Sequence, residues 1–254
     1  MDKKTALITG ATAGIGKATA IKFAENGYDL IITGRRKKNL EEFSEQVRQN
    51  FNVKVLSLNF DVRNREEVER HLNSIPQEWK KIDILINNAG LAAGLSTIQE
   101  GDIEDWEVMI DTNIKGLLYV SRCIMPIMIK NGFGHIINLS SIAGKEAYLK
   151  GNIYCATKYA VDALTKTMRI DLLPHKIKVT SINPGAVETE FAIVRYKGDI
   201  ERANQTYKGF EPLVAEDIAD TIYFAASRPA HVNINEIIIM PTAQANTSHI
   251  LKDV

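Results

Sequence analysis

Thr5-Ala-Leu-Ile-Thr9-Gly10-Ala11-Thr12-Ala13-Gly14-Ile15-Gly16 is the stretch on which the reading of this chain turns. A short apolar run ends in a glycine-rich turn, and helix-forming sequence follows to about residue 26. Glycine permits positive φ and close backbone approach, while a helix N-terminus offers unpaired N–H groups and the positive end of a dipole. Strand, turn and helix in that order form a cradle for a pyrophosphate. The spacing is G-x-x-x-G-x-G, not the common G-x-G-x-x-G. The P-loop of nucleotide triphosphatases is excluded, although Lys17 follows Gly16: Gly10 stands one residue too far away, and Ala18 replaces the hydroxyl that would hold Mg²⁺.

The same alternation continues outward. Apolar runs at Asp29–Thr33, Val53–Ser57, Ile82–Ile86, His135–Leu139, Ile177–Ile182 and Glu236–Met240 bring the number of predicted strands to seven. Helical stretches are predicted at about 15–26, 37–50, 64–78, 103–130, 152–173 and 215–227. Near-continuous apolar runs suit strands covered on both faces. The expectation is a single α/β domain over 1–254, a Rossmann-type doubly wound parallel sheet of about seven strands. The connection at 188–213 exceeds about 15 residues, the length at which a loop inside a compact domain usually serves binding. It is expected to hold one or two short helices and to touch substrate.

Composition narrows the function classes. The 254 residues carry 31 basic and 31 acidic side chains, for a formal net charge of zero, which argues against bulk nucleic-acid binding or a basic membrane-surface protein. Two cysteines, Cys123 and Cys155, read as free thiols of a reducing compartment. The chain opens Met1-Asp2-Lys3-Lys4 and enters a strand at once, and no stretch reaches 18 uninterrupted apolar residues. A cytoplasmic location follows as the expectation, and the N-x-Ser/Thr triplets at Asn138, Asn204 and Asn246 are then chance matches. The five histidines lack ligand spacing, so no metal is expected.

Strand two ends in Gly34-Arg35-Arg36-Lys37-Lys38, with no acid between Thr33 and Asn39. An acid there would hold the ribose 2′-OH of NAD, whereas arginine matches a 2′-phosphate with two parallel bonds. Arg35 and Arg36 therefore favour NADP(H), while Lys37 and Lys38 read as a solvated turn. Tyr154 and Lys158 lie one helical turn apart and project from one face. An ammonium near a phenol favours the phenolate, making the pair an acid–base device. The alternative is an amphipathic tyrosine beside a surface lysine. Ser140 and Ser141 follow strand five, where such folds bind ligands. Asn113, in a helix otherwise apolar on its buried side, is either a structural hydrogen-bonder or part of a polar relay. Cys155 points away from Tyr154 and reads as a core thiol.

Taken together, Thr9-Gly10-Ala-Thr-Ala-Gly14-Ile-Gly16, Asn87-Asn88-Ala89-Gly90, Asn113, Ser141, Tyr154-x-x-x-Lys158 and Asn183-Pro184-Gly185 resemble the short-chain dehydrogenase/reductase family over essentially the whole chain. The resemblance implies that Tyr154 exchanges a proton with the substrate oxygen and that Ser141 hydrogen-bonds it. Lys158 would lower the tyrosine pKa and hold the nicotinamide ribose, and Asn113 would anchor a relay water. It implies cofactor contacts from Gly10, Thr12, Gly14, Ile15 and Gly16, from Asp61 and Val62 at the adenine, and from Asn88, Ala89 and Gly90 near the adenosine ribose. Pro184, Gly185, Val187 and Thr189 would pass the nicotinamide.

Further segments resemble a narrower group, the NADP-dependent 3-hydroxy acid dehydrogenases acting on serine, L-allo-threonine and related acids. They include Thr33-Gly34-Arg35-Arg36, Asp61-Val-Arg-Asn-Arg65, Val194-Arg195-Tyr196-Lys197-Gly198-Asp199 and Met240-Pro-Thr-Ala-Gln244. The substrate carboxylate needs a cation or several donors. Arg195 is the candidate, the other reading being a solvated loop arginine. The charged loop Lys145–Lys150 has no argument tying it to such substrates. Helices 103–130 and 152–173 are more apolar than one sheet face requires, and the resemblance implies that they form the dimer face of a homotetramer. Two rival functions share parts of this pattern: a carbonyl reductase of 3-oxoacyl or other ketone substrates, and a non-catalytic NADP-binding regulator.

Overall fold

The computed structural model describes residues 3–253; Met1, Asp2 and Val254, which the reading above includes in its single domain, lie outside the described residues. Seven strands, β1 (Thr5–Ile8), β2 (Asp29–Gly34), β3 (Val55–Asn59), β4 (Ile84–Asn87), β5 (His135–Leu139), β6 (Lys178–Pro184) and β7 (Glu236–Ile239), join one sheet. Their order is β3-β2-β1-β4-β5-β6-β7 and every neighbouring pair is parallel. The helices are α1 (Gly14–Glu25), α2 (Lys37–Asn50), α3 (Arg65–Asn73), α4 (Ile103–Ile110), α5 (Leu117–Asn131), α6 (Asn152–Leu172), α7 (Phe191–Arg195), α8 (Ile200–Thr206) and α9 (Ala215–Ala226).

Alternation along the strands divides the core in two. Ala6, Ile8, Leu30 and Ile32 face a cluster with Phe23 of α1, Phe43 of α2 and Ile222 of α9. Leu7, Ile31, Leu85 and Ile136 face the opposite cluster, with Leu72 of α3, Ile124 of α5 and Met168 of α6. Because successive side chains of a strand point to opposite faces, a run such as Thr5–Ile8, buried at every position, must be covered on both sides. The order in which strands are added reverses between β1 and β4, the switch point at which a crevice opens at the carboxyl ends of those strands.

Differences from the predicted elements are local. The stretch 64–78 is helical only to Asn73, because Pro76 disfavours helix in the residue before it; a 3₁₀ turn, Gln77–Trp79, follows. The stretch 103–130 is continuous, but Asp111–Gly116 widens into a π-helical turn between α4 and α5. The long connection contains the short helices α7 and α8. No helix among the described residues is long and apolar enough to cross a membrane.

Candidate active site

The glycine turn is built by hydrogen bonds from β4. Thr9 Oγ1 accepts from the backbone N–H groups of Asn88 and Ala89, each at 3.0 Å, and Asn88 Nδ2 donates to the carbonyls of Thr9 at 2.8 Å and Gly10 at 3.2 Å. Gly10 takes φ +67° and Gly14 φ +50°, the left-handed region that a side chain would strain. A Cβ on Gly16 would stand 2.3 Å from both Asn88 Nδ2 and the Gly10 carbonyl oxygen. Helix α1 starts with no side-chain cap and no acid in its first turn, so its N-terminal N–H groups face the crevice without an internal anion.

A cavity runs from this turn along the strand ends. Gly10, Thr12, Gly14, Ile15, Arg35, Arg36, Asp61, Val62, Asn88, Ala89 and Gly90 line one part of it. Ser141, Tyr154, Lys158, Pro184, Gly185, Val187, Thr189 and Arg195 line the other. Two expected site residues stand behind the wall instead. Gly16 packs against Gly10 and Asn88, and Asn113 lies behind Gly90.

At the end of β2, Arg36 Nη2 donates to Thr12 Oγ1 at 3.2 Å and Nη1 to Glu190 Oε2 at 3.1 Å. Arg35 lies 3.7 Å from Asp61, which accepts a two-point bond from Arg63. Hydrogen bonding from Arg63 holds the Asp61 carboxyl below its usual range despite burial that pushes it up. Both arginines, just beyond β2, are about half exposed at the cavity edge. The uncapped α1 turn, the space at Gly10 and Gly14, and these two guanidinium groups fit a dinucleotide with a 2′-phosphate.

Tyr154 and Lys158 project from one face of α6. Lys158 Nζ donates to the Leu139 carbonyl at 3.0 Å and stands 5.8 Å from the Tyr154 ring centroid. Burial brings its pKa down to about 8. Burial likewise pushes the Tyr154 phenol up, against the Arg195 charge and a Ser141 hydrogen bond that pull it down. Two cations stand near that ring, Lys158 with Nζ 5.8 Å and Arg195 with Cζ 4.9 Å from its centroid. Ser141 Oγ, at the end of β5, accepts from Ala143 N–H at 3.1 Å and donates to the Pro184 carbonyl at 3.4 Å.

Asn113 sits in the π turn with every polar atom engaged. Its Oδ1 accepts from Leu91 N–H at 2.9 Å, and Nδ2 donates to the Leu91 carbonyl at 2.8 Å and to Thr157 Oγ1 at 3.0 Å. It thus ties the loop after β4 to α6, one turn from Tyr154. Cys155 is buried. Three residues to which the sequence assigns no role join the site. Tyr148 accepts a hydrogen bond from Arg195 Nη2 at 2.8 Å, and the Phe191 ring lies 5.6 Å from that of Tyr154. Gln244 Oε1 holds the Ala186 N–H at 2.8 Å beside Gly185. Tyr148 and Phe191 stand in no periodic or motif position, Gln244 closes the segment Met240–Gln244 quoted above, and Gly151, which leaves room for the Tyr148 ring, is a local signal for that residue.

This geometry has counterparts. The chain is 46% identical over 240 residues to an NADP-dependent 3-hydroxy acid dehydrogenase of Salmonella typhi, covering 94% of this chain and 95% of the relative. An NADP-dependent 3-hydroxy acid dehydrogenase of Schizosaccharomyces pombe is 39% identical over 253 residues, 99% of this chain and 98% of that one. Among solved structures, the closed form of a serine dehydrogenase complexed with NADP⁺ superposes with a TM-score of 0.91 at 42% identity, covering 98% of this chain and 100% of the other. The short chain dehydrogenase profile matches residues 4–199. With the glycine turn, the Ser141–Tyr154–Lys158 arrangement and these relatives in agreement, the chain belongs to the short-chain dehydrogenase family.

Proposed function

We propose that this protein is an NADP-dependent oxidoreductase that interconverts alcohols and carbonyls, with small 3-hydroxy acids of the L-allo-threonine, serine and 3-hydroxyisobutyrate type as substrates. The observation that carries the reading is the single cavity joining the glycine turn and Arg35/Arg36 to Ser141, Tyr154 and an arginine, Arg195, with no carboxylate within ion-pair distance among the described residues. A cation in a cavity wall without a counter-charge suits an anionic ligand.

In this reading Gly10, Thr12, Gly14, Ile15 and Gly16 shape the cradle for the pyrophosphate, and Arg35 and Arg36 hold the 2′-phosphate. Asp61 and Val62 border the adenine and Asn88, Ala89 and Gly90 the adenosine ribose, while Pro184, Gly185, Val187 and Thr189 flank the nicotinamide. When bound, NADP(H) supplies or accepts the hydride. Tyr154 Oη takes the hydroxyl proton as the alcohol is oxidised, or returns it as the carbonyl is reduced, while Ser141 Oγ holds the same oxygen. Lys158 places positive charge below the phenol and near the ribose. Asn113 keeps α6 in register with the loop after β4 and anchors the relay water. Arg195 holds the substrate carboxylate.

The two free thiols suit a cytoplasmic setting. Exposed apolar side chains on the long helical pair, among them Ile103, Leu118 and Ile129 on α4 and α5 and Ile170 on α6, support the homotetramer. The reaction is tested with Tyr154→Phe. Turnover with L-allo-threonine should fall by about 10²–10⁴-fold, the share general acid–base catalysis supplies, while NADPH binding read by fluorescence persists. A variant that keeps turning over would remove Tyr154 from the proton step.

A further inference from the structure

We propose that Tyr148 is a specificity-determining residue of this site: beside Arg195, it presents its hydroxyl proton to the carboxylate of a 3-hydroxy acid. The proposal rests on the functional reading above and adds a residue to it. Tyr148 lies in the charged loop before α6, for which the sequence supplied no role. Its ring occupies the space a Cβ on Gly151 would need, 2.5 Å from ring carbons Cε2 and Cζ. Glycine at 151 therefore lets the ring lie against the start of α6 and face the cavity.

The hydroxyl's bonding defines what it can do. Tyr148 Oη accepts from Arg195 Nη2 at 2.8 Å, and its own proton has no acceptor among the described residues. Burial pushes the phenol pKa well up, so the group stays a donor at any working pH. Arg195 is held with it. Its Cζ stands 4.9 Å from the Tyr154 ring centroid, 5.1 Å from that of Phe191 and 5.9 Å from that of Tyr148, while its carbonyl accepts from Gly94 N–H at 2.9 Å. Aromatic faces attract and orient a guanidinium without neutralising it. Its Nε is buried and has no hydrogen-bond partner.

One wall of the cavity therefore carries a net positive charge and a spare O–H donor next to the Tyr154 phenol. A carboxylate brings two acceptor oxygens and one negative charge. In a 3-hydroxy acid it stands two carbons from the hydroxyl-bearing carbon, so one molecule can meet Tyr154 with its hydroxyl and this pair with its acid group. An ester of the same acid keeps the reacting hydroxyl but loses the charge and the second equivalent oxygen.

The test compares L-allo-threonine and L-serine with their methyl esters as substrates of the wild type and of Tyr148→Phe, NADPH fluorescence confirming that each protein binds cofactor. The quantity read is the ratio of kcat/KM for acid over ester. In Tyr148→Phe it should fall about tenfold, the size of a lost hydrogen bond to a charged group, with the change in the KM of the acid. Gly151→Ala is the second variant: its methyl displaces the Tyr148 ring and should lower the same ratio. A ratio within twofold of wild type in both variants, with acid turnover intact, would overturn the assignment of Tyr148. A wild-type protein that turns over esters or simple ketones but no 3-hydroxy acid would sink the functional reading, and this proposal with it.

Discussion

His135 shows what burial does to a single titratable group in this sheet. It stands on β5, fully enclosed, with Nε2 2.7 Å from Thr180 Oγ1 and Nδ1 unpartnered. Burial lowers its pKa to about 3. As pH falls below about 6.5 the unfolded chain takes up a proton that the folded chain refuses, so stability is lost from there down to about 3, at about 1.4 kcal/mol per pH unit. Between pH 7 and pH 5 this one group should remove about 2 kcal/mol. Urea unfolding of the wild type and of His135→Gln at the two pH values checks it; parallel losses in both would show that His135 is not the source. Single residues were also where sequence reading ran out. Tyr154, Lys158 and Ser141 announce themselves by spacing, whereas Tyr148 and Gln244 act through loops that carry no period, and only folding brings them to the cavity.

At the scale of elements, the π turn between α4 and α5 is the part whose shape the sequence concealed. The apolar pattern of 103–130 continues through it, and a locally widened turn leaves that pattern intact. Its consequence is visible only in the bonds of Asn113, which join Leu91, the π turn and Thr157. A π turn at a functional site is a common device for aiming one side chain. Asn113→Leu would leave the Leu91 N–H and carbonyl buried without partners, a loss of about 3 kcal/mol. For a chain of this size the melting temperature should drop by roughly 6–12 °C. An unchanged melt would mean that these bonds add nothing to stability. The end of the predicted 64–78 helix is legible in the sequence, since the effect of Pro76 on the residue before it is steric.

For the whole molecule, the number of strands and their parallel pairing followed from one physical fact: runs apolar at every position need cover on both faces. Strand boundaries moved by up to two residues, as at β3, where Val55–Asn59 pairs instead of Val53–Ser57. What no run could reveal is how the C-terminal segment returns to the site, where Thr247 and Ile250 join Gln244 in the cavity wall. The exposed apolar side chains of α5 and α6 lead to a prediction at this scale. Sedimentation velocity should find a particle of four 28.3-kDa chains, and a monomer at micromolar concentration would refute the assembly.

The central claim is the pairing of NADP with a 3-hydroxy acid in one cavity. It is tested most directly by following NADPH formation with L-allo-threonine, L-serine and 3-hydroxyisobutyrate, each offered with NADP⁺ and with NAD⁺. The account predicts turnover of at least one of the three acids, with NADP⁺ clearly preferred. Equal rates with NAD⁺ would contradict the role of Arg35 and Arg36, and silence on all three acids while a simple ketone is reduced would contradict the substrate.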